Sequence, residues 1–124
     1  MIKEAVIKET MFVIAVPDLK KSAEYYQNVL GFQVSEIGDP GWRMYVRDSC
    51  HIMAGECVDA SHPSKLGDHS YFCYLIVENA DEYYAELISK NAEISSSAED
   101  KPWQMREFPI TTIDGHRIMV GERL

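Results

Sequence analysis

The chain has 124 residues, 46% of them hydrophobic and 26% charged, which suits one compact unit over residues 1–124 with a core of its own. Its formal net charge of −8 argues against nucleic acid as a partner, because phosphate binding needs an excess of Lys and Arg. The same excess favours a cationic small molecule, although plain solubility is the commoner use of such charge. The longest apolar runs fall far short of the roughly 20 residues that cross a bilayer, so no membrane partner is expected.

Met11–Val16 is an apolar, partly β-branched run ending at Pro17, the pattern of a buried strand. Asp18 opens a helix whose Leu19, Ala23, Tyr26 and Leu30 recur at helical spacing, and Gly31 stops it. Phe32–Ile37 alternates as a strand does, and Gly38-Asp39-Pro40-Gly41 is a turn. Trp42–Val46 and His51–Cys57 are two further strands joined by Arg47-Asp48-Ser49. The polar stretch from Val58 to His69 reads as a connecting loop. Tyr71–Val77 is then a strand, Ala80–Lys90 a helix, and Ala92–Ser96 a short strand. Ser97–Pro102 reads as a loop, Trp103–Thr112 as a strand, and Asp114-Gly115 turns into a last strand, His116–Glu122.

The order of elements therefore occurs twice, and residues repeat with it. Glu24-Tyr25-Tyr26 answers Glu82-Tyr83-Tyr84, and Trp42-Arg43-Met44 answers Trp103-Gln104-Met105. Ile52-Met53-Ala54-Gly55-Glu56 answers Ile118-Met119-Val120-Gly121-Glu122. The offsets of 58, 61 and 66 place the differences in the loops. Module one spans about residues 10–58, a linker 59–69, and module two about 70–122. Cys50, Cys57 and Cys73 are odd in number and lack metal-type spacing, and MIKEAVIKET carries no hydrophobic signal segment. Reduced thiols in the cytoplasm are the expectation.

The segment VPDLKKSAEYYQNVLGF, followed by PWQMREFPITTIDGHRIMVGE, closely resembles the opening and closing signatures of the vicinal-oxygen-chelate superfamily of glyoxalases, bleomycin-resistance proteins and extradiol dioxygenases. The resemblance runs from about Thr10 to Glu122, and the ending is similar to the sub-group that includes bleomycin-resistance proteins. Thr112-Ile113 departs from the Asp-Pro common at that place. The resemblance implies an α+β fold. Two tandem βαβββ modules would pair into a curved, mostly antiparallel sheet cup with helices outside, often within a homodimer.

Metal-dependent members hold a divalent ion inside that cup. By resemblance, the four ligand places fall on Met11, Phe72, Met53 and Met119. Hard divalent ions need carboxylate oxygen or imidazole nitrogen, which neither a thioether nor a phenyl ring offers. No cofactor and no catalytic residue are therefore expected. Strand alternation adds His51 beside Met53, Arg117 beside Met119 and Tyr74 beside Phe72 on the same faces. Val13, Ala15 and Ile76 follow by the same rule. Trp42 and Trp103, at matched places, are expected to line the cleft. Each methionine taken singly is more often core filling, and His116 more often a turn residue than a catalyst. Glu24-Tyr25-Tyr26 and its counterpart read as helix faces packed on the sheet, with hydroxyls at the edge; His62 and His69 read as solvated.

The expected function is metal-independent binding of a hydrophobic or cationic, planar small molecule, with sequestration of an antibiotic as the family's example. The alternative is a metal-dependent glyoxalase-type lyase or transferase using Glu56, Glu122, His51 and His116 as non-standard ligands. Period-two alternation counts against it, because Glu56 and Glu122 fall on the opposite face from Met53 and Met119. Whether any catalysis remains is left open by the sequence.

Overall fold

The structure, a computed structural model, describes residues 2–124. The first module comprises β1 (Phe12–Val16), α1 (Leu19–Asn28), β2 (Gln33–Glu36), β3 (Trp42–Arg47) and β4 (Cys50–Glu56). A short 3-10 turn, Pro63–Leu66, interrupts the linker. The second module comprises β5 (Tyr71–Ile76), α2 (Ala80–Ser89), β6 (Glu99–Lys101), β7 (Met105–Thr111) and β8 (Arg117–Arg123). Each module is a four-stranded sheet, ordered β1-β4-β3-β2 and β5-β8-β7-β6. In each, the first and last strands of the module run parallel and the other pairs antiparallel. The fold is α+β, built from two repeats of one module.

Local chemistry starts both helices in the same way. Lys21 N–H donates to the Asp18 side chain at 3.1 Å, and Glu82 N–H to Asn79 at 3.0 Å, each pair closing an N-cap. A second carboxylate reaches each helix start from the end of the neighbouring strand. Leu19 N–H donates to Glu56 at 3.0 Å and Ala80 N–H to Glu122 at 2.8 Å.

Two expectations shift along the chain. Ala92–Ser96 does not form a strand, and only Glu93 bridges to Thr111. The edge strand is Glu99–Lys101, inside the stretch expected as a loop. Apart from Ala92 and the half-buried Ile94, the earlier segment is polar, with little to bury. Strand pairing resumes where Arg106 donates to Asp100 at 2.9 Å. Trp103 does not open the next strand either. Gln104 adopts a φ of 64°, so Trp103 stands in the turn and β7 begins at Met105.

Alternation then sorts the side chains. Ile14, Val16, Tyr45, Ile52 and Ala54 of the first sheet face α1, and Phe108, Ile110, Ile118 and Val120 of the second face α2. These two sets, with Tyr26, Leu30, Tyr83 and Leu87 from the helices, form one continuous core. The helix tyrosines do not stop at the sheet edge as expected. Tyr26 is fully buried, and Tyr25 Oη donates across to the Thr111 carbonyl of the other module at 3.4 Å.

Polar links close the junction between modules. Arg47 donates to Glu86 at 2.7 and 3.0 Å and to the Leu30 carbonyl at 2.8 Å, with its guanidinium over the Tyr83 ring. Tyr45 Oη donates to Ser22 Oγ at 2.9 Å, and Ser22 donates to Asp114 at 2.8 Å. Asp114 is 5% exposed, and burial raises its pKa against the opposing effect of the Ser22 hydroxyl. A carboxyl with a higher pKa folded than unfolded favours the fold most when protonated. That contribution is complete below the unfolded pKa and is lost as pH rises through the folded one. Asp114→Asn keeps an acceptor for Ser22 but cannot ionise. Its Tm relative to the wild type is therefore expected to rise between about pH 4 and about pH 7; thermal denaturation across that range checks this, and a constant difference contradicts it.

Candidate functional site

The residues that alternate away from the helices make a second, uncovered face on each sheet. On the first, Val13 of β1 and Met44 of β3 flank Met53, and Ala15 and Trp42 flank Gly55. His51 pairs with Val46 on the same face. On the second, Tyr74 and Pro109 flank Met119, Ile76 and Glu107 flank Gly121, and Thr111 pairs with Arg117. These faces are open, since Val13 is 62% exposed, Ile76 52% and Tyr74 42%. Met11, just before β1, is also exposed.

The repeated Gly-Glu ending of β4 and β8 has a use on each face. The glycine leaves a floor on which an aromatic ring lies flat. A Cβ at Gly55 would come within 2.6 Å of the Trp42 ring, and one at Gly121 would overlap the Tyr74 phenol. The glutamate points the other way, into the helix cap described above. Glu56 and Glu122 are thus committed to α1 and α2 rather than available as ligands on the open faces.

Glu107 is a residue of this face that the sequence reading did not single out. It is only 6% exposed, yet it lies on the open face of the second sheet. Tyr74 Oη donates to its Oε2 at 2.5 Å, and Trp103 Nε1 donates to the same oxygen at 2.9 Å. Burial and then this bond push the Tyr74 hydroxyl up to about 12. Parity with Phe108 and Ile110 was the available signal, since it places Glu107 with Pro109 opposite Gly121 and Met119. A single polar residue in a strand ordinarily reads as solvent-facing, which concealed it.

Eight of the nine expected residues divide between the sheets. Met11, Trp42, His51 and Met53 belong to the first, and Tyr74, Trp103, Arg117 and Met119 to the second. Trp42 is half-buried against Gly55, while Trp103 is 60% exposed. Phe72 departs from the pattern. A bulge between Tyr71 and Cys73 adds one residue to β5 opposite β8. The Phe72 ring consequently packs edge-on against Phe12 and His116 at the module junction, and Tyr74 takes the place beside Met119. His116 is half-buried, its Nδ1 without a hydrogen-bond partner, and burial and then His62 lower its pKa. His62 is exposed and accepts from Ser64 N–H at the start of the linker turn.

The donor set does not fit a hard divalent ion. Met11, Met53 and Met119 carry thioethers and Phe72 carries no donor, and among the described residues no three His, Cys, Asp or Glu side chains converge as metal ligands would. A separate cleft of about 540 Å³ lies where the β3–β4 turn meets α2, lined by Arg47, Cys50, Tyr83 and Glu86. It adjoins the open faces only at Ile76.

A structure of two βαβββ repeats is shared with other proteins. The family model for the Glyoxalase/Bleomycin resistance protein/Dioxygenase superfamily matches residues 8–120, and the chain belongs to that family. Among solved structures, a bleomycin resistance determinant encoded on the transposon Tn5 is 18% identical with a TM-score of 0.77, over 94% of this chain and 98% of that one. A glyoxalase-related enzyme from Clostridium phytofermentans is 16% identical with a TM-score of 0.78, over 97% and 98% of the two chains. TioX from Micromonospora sp. ML1 is 18% identical with a TM-score of 0.72, over 94% and 100%. At these identities the likeness is one of fold. No curated protein matches the chain. Among the described residues, no helix is long and apolar enough to cross a membrane.

The capping role of Glu122 makes a prediction. Glu122→Ala is expected to lower stability by about 1 kcal/mol, as loss of a helix cap does, and Tm by about 3–5 °C in a chain of this size. Differential scanning calorimetry reads it, and an unchanged Tm contradicts the assignment.

Proposed function

We propose that the chain is a metal-independent small-molecule binding protein that holds a hydrophobic or cationic, planar ligand against its open sheet faces. The observation that carries this reading is the composition of those faces. They present thioethers of Met11, Met44, Met53 and Met119 and aromatic rings of Trp42, Tyr74 and Trp103, with His51, Arg117 and Glu107 as the polar minority. Small-molecule sites have that mixture, and methionine adapts to irregular or varied ligands. Sequestration of an antibiotic, in the manner implied by the name of the Tn5 bleomycin resistance determinant, is the activity it suits. The net charge of −8 would speed encounter with a cation. Three free thiols agree with a cytoplasmic setting.

A homodimer is part of the proposal. β1 and β5 are sheet edges that carry exposed apolar side chains, and a second copy would cover them and enclose the ligand in a cup. The nine residues expected from the sequence remain the proposed binding set. Phe72 would act from the module junction, through Phe12 and His116.

A thermal-shift screen of planar cations, bleomycin included, followed by calorimetry on Trp103→Ala and Trp42→Ala, tests the reading. Truncating a stacked Trp typically costs about 2 kcal/mol, so affinity is expected to fall about thirtyfold. Unchanged affinity in both variants, with circular dichroism intact, would make the rings packing elements only. Plasma emission analysis after dialysis is expected to find far less than one Zn, Ni, Mn or Fe per chain, and about one would favour the lyase reading.

A further inference from the structure

Glu107 is a buried carboxylate that forms no ion pair among the described residues. Its hydrogen bonds among those residues come from two neutral donors, Tyr74 Oη and Trp103 Nε1, both on Oε2. On the same sheet face Glu99 stands directly opposite Glu107, and Lys101 is paired with Glu99 at 3.2 Å, while Arg117 and Arg123 lie on that face without an ion pair to Glu107.

Among the described residues the second oxygen, Oε1, accepts no hydrogen bond, and the buried polar atoms without partners are Tyr26 Oη and His116 Nδ1. Oε1 therefore meets the surface. It does so beside two rings, Trp103 and Tyr74, that are 60% and 42% exposed. Their donors are already bound to the carboxylate, so both rings are oriented before any ligand arrives. Tyr74 is held further by the floor at Gly121, where any side chain would displace it. Two oriented π-faces around one carboxylate oxygen without an ion pair suit a flat cation.

We infer that Glu107, Trp103 and Tyr74 form a recognition site for a planar organic cation. The ring system of the ligand lies on Trp103 and Tyr74, and its positive nitrogen sits at Glu107 Oε1. The inference rests on the reading of the open faces as a ligand site and specifies the charge that this site selects. It also gives the two sheets unequal roles, because the equivalent face of module one has Trp42 on Gly55 and no carboxylate beside it.

The test uses two dyes of nearly one shape, N-methylacridinium and its uncharged parent acridine at pH 8, titrated calorimetrically into the intact protein. The wild type is expected to prefer the cation about tenfold or more. Glu107→Gln keeps an acceptor for both rings and is expected to bind the two dyes with equal affinity. Equal wild-type binding of the two dyes, or a preference surviving in Glu107→Gln, overturns the role of Glu107 and leaves the open-face reading standing. Binding of neither dye overturns both. A wild-type measurement guards against a variant that fails to fold. The Trp103 indole N–H resonance, assigned with Trp42→Phe, is expected to shift on adding either dye, with half the shift reached at about tenfold lower N-methylacridinium than acridine. A resonance that responds to neither dye, or to both at the same concentration, also overturns the assignment.

Discussion

Each module has four strands and one helix, and a helix can cover only one face of a sheet. The side of each sheet that receives the helix takes Ile14, Val16, Ile52 and Ala54, or Phe108, Ile110, Ile118 and Val120, and becomes the core. Because side chains alternate, the other side is fixed at the same time, residue by residue. It is not a polar face. Val13, Ile76, Tyr74 and five methionines lie there, with no element among the described residues left to cover them. At about 25 cal/mol per Å², apolar surface of this kind favours association or ligand binding.

The same alternation divides the labour within single peptides. In Met53-Ala54-Gly55-Glu56, Met53 and Gly55 build the open face while Ala54 packs in the core and Glu56 caps α1. Met119-Val120-Gly121-Glu122 does the same for α2. A carboxylate moved by one position would serve the opposite side of the sheet. In this chain Glu56 and Glu122 are with the helices and the thioethers are in the opening. Glu107 and, opposite it on the edge strand, Glu99 are carboxylates on the open face of the second sheet; Glu107 is held by aromatic donors and Glu99 by Lys101.

Strong periodicity made most of this readable in the sequence. The two helices, seven of the strands and the repeat itself follow from spacing and turn residues, and the opposite orientation of Glu56 and Glu122 followed from counting. What was not readable depends on single backbone events. The bulge before Cys73 rotates Phe72 out of the face that its position assigned it, and no residue type in Tyr71-Phe72-Cys73 announces a bulge. The positive φ at Gln104 leaves Trp103 in a turn, which is what brings its indole to Glu107. The edge strand at Glu99–Lys101 pairs across to Met105–Glu107, with Asp100 opposite Arg106, a contact between segments that a local reading does not join. The Trp42 and Trp103 equivalence was correct as sequence and incomplete as structure, because one ring lies on a glycine and the other on a carboxylate.

The account depends most on the open faces being covered by a second copy of the chain. Sedimentation velocity at micromolar concentration measures that directly, with Val13→Asp as the variant that places a charge on the exposed edge strand. The account predicts a species of twice the chain's mass for the wild type and a shift to single chains for Val13→Asp. A wild type that sediments as a single chain across that range would contradict it.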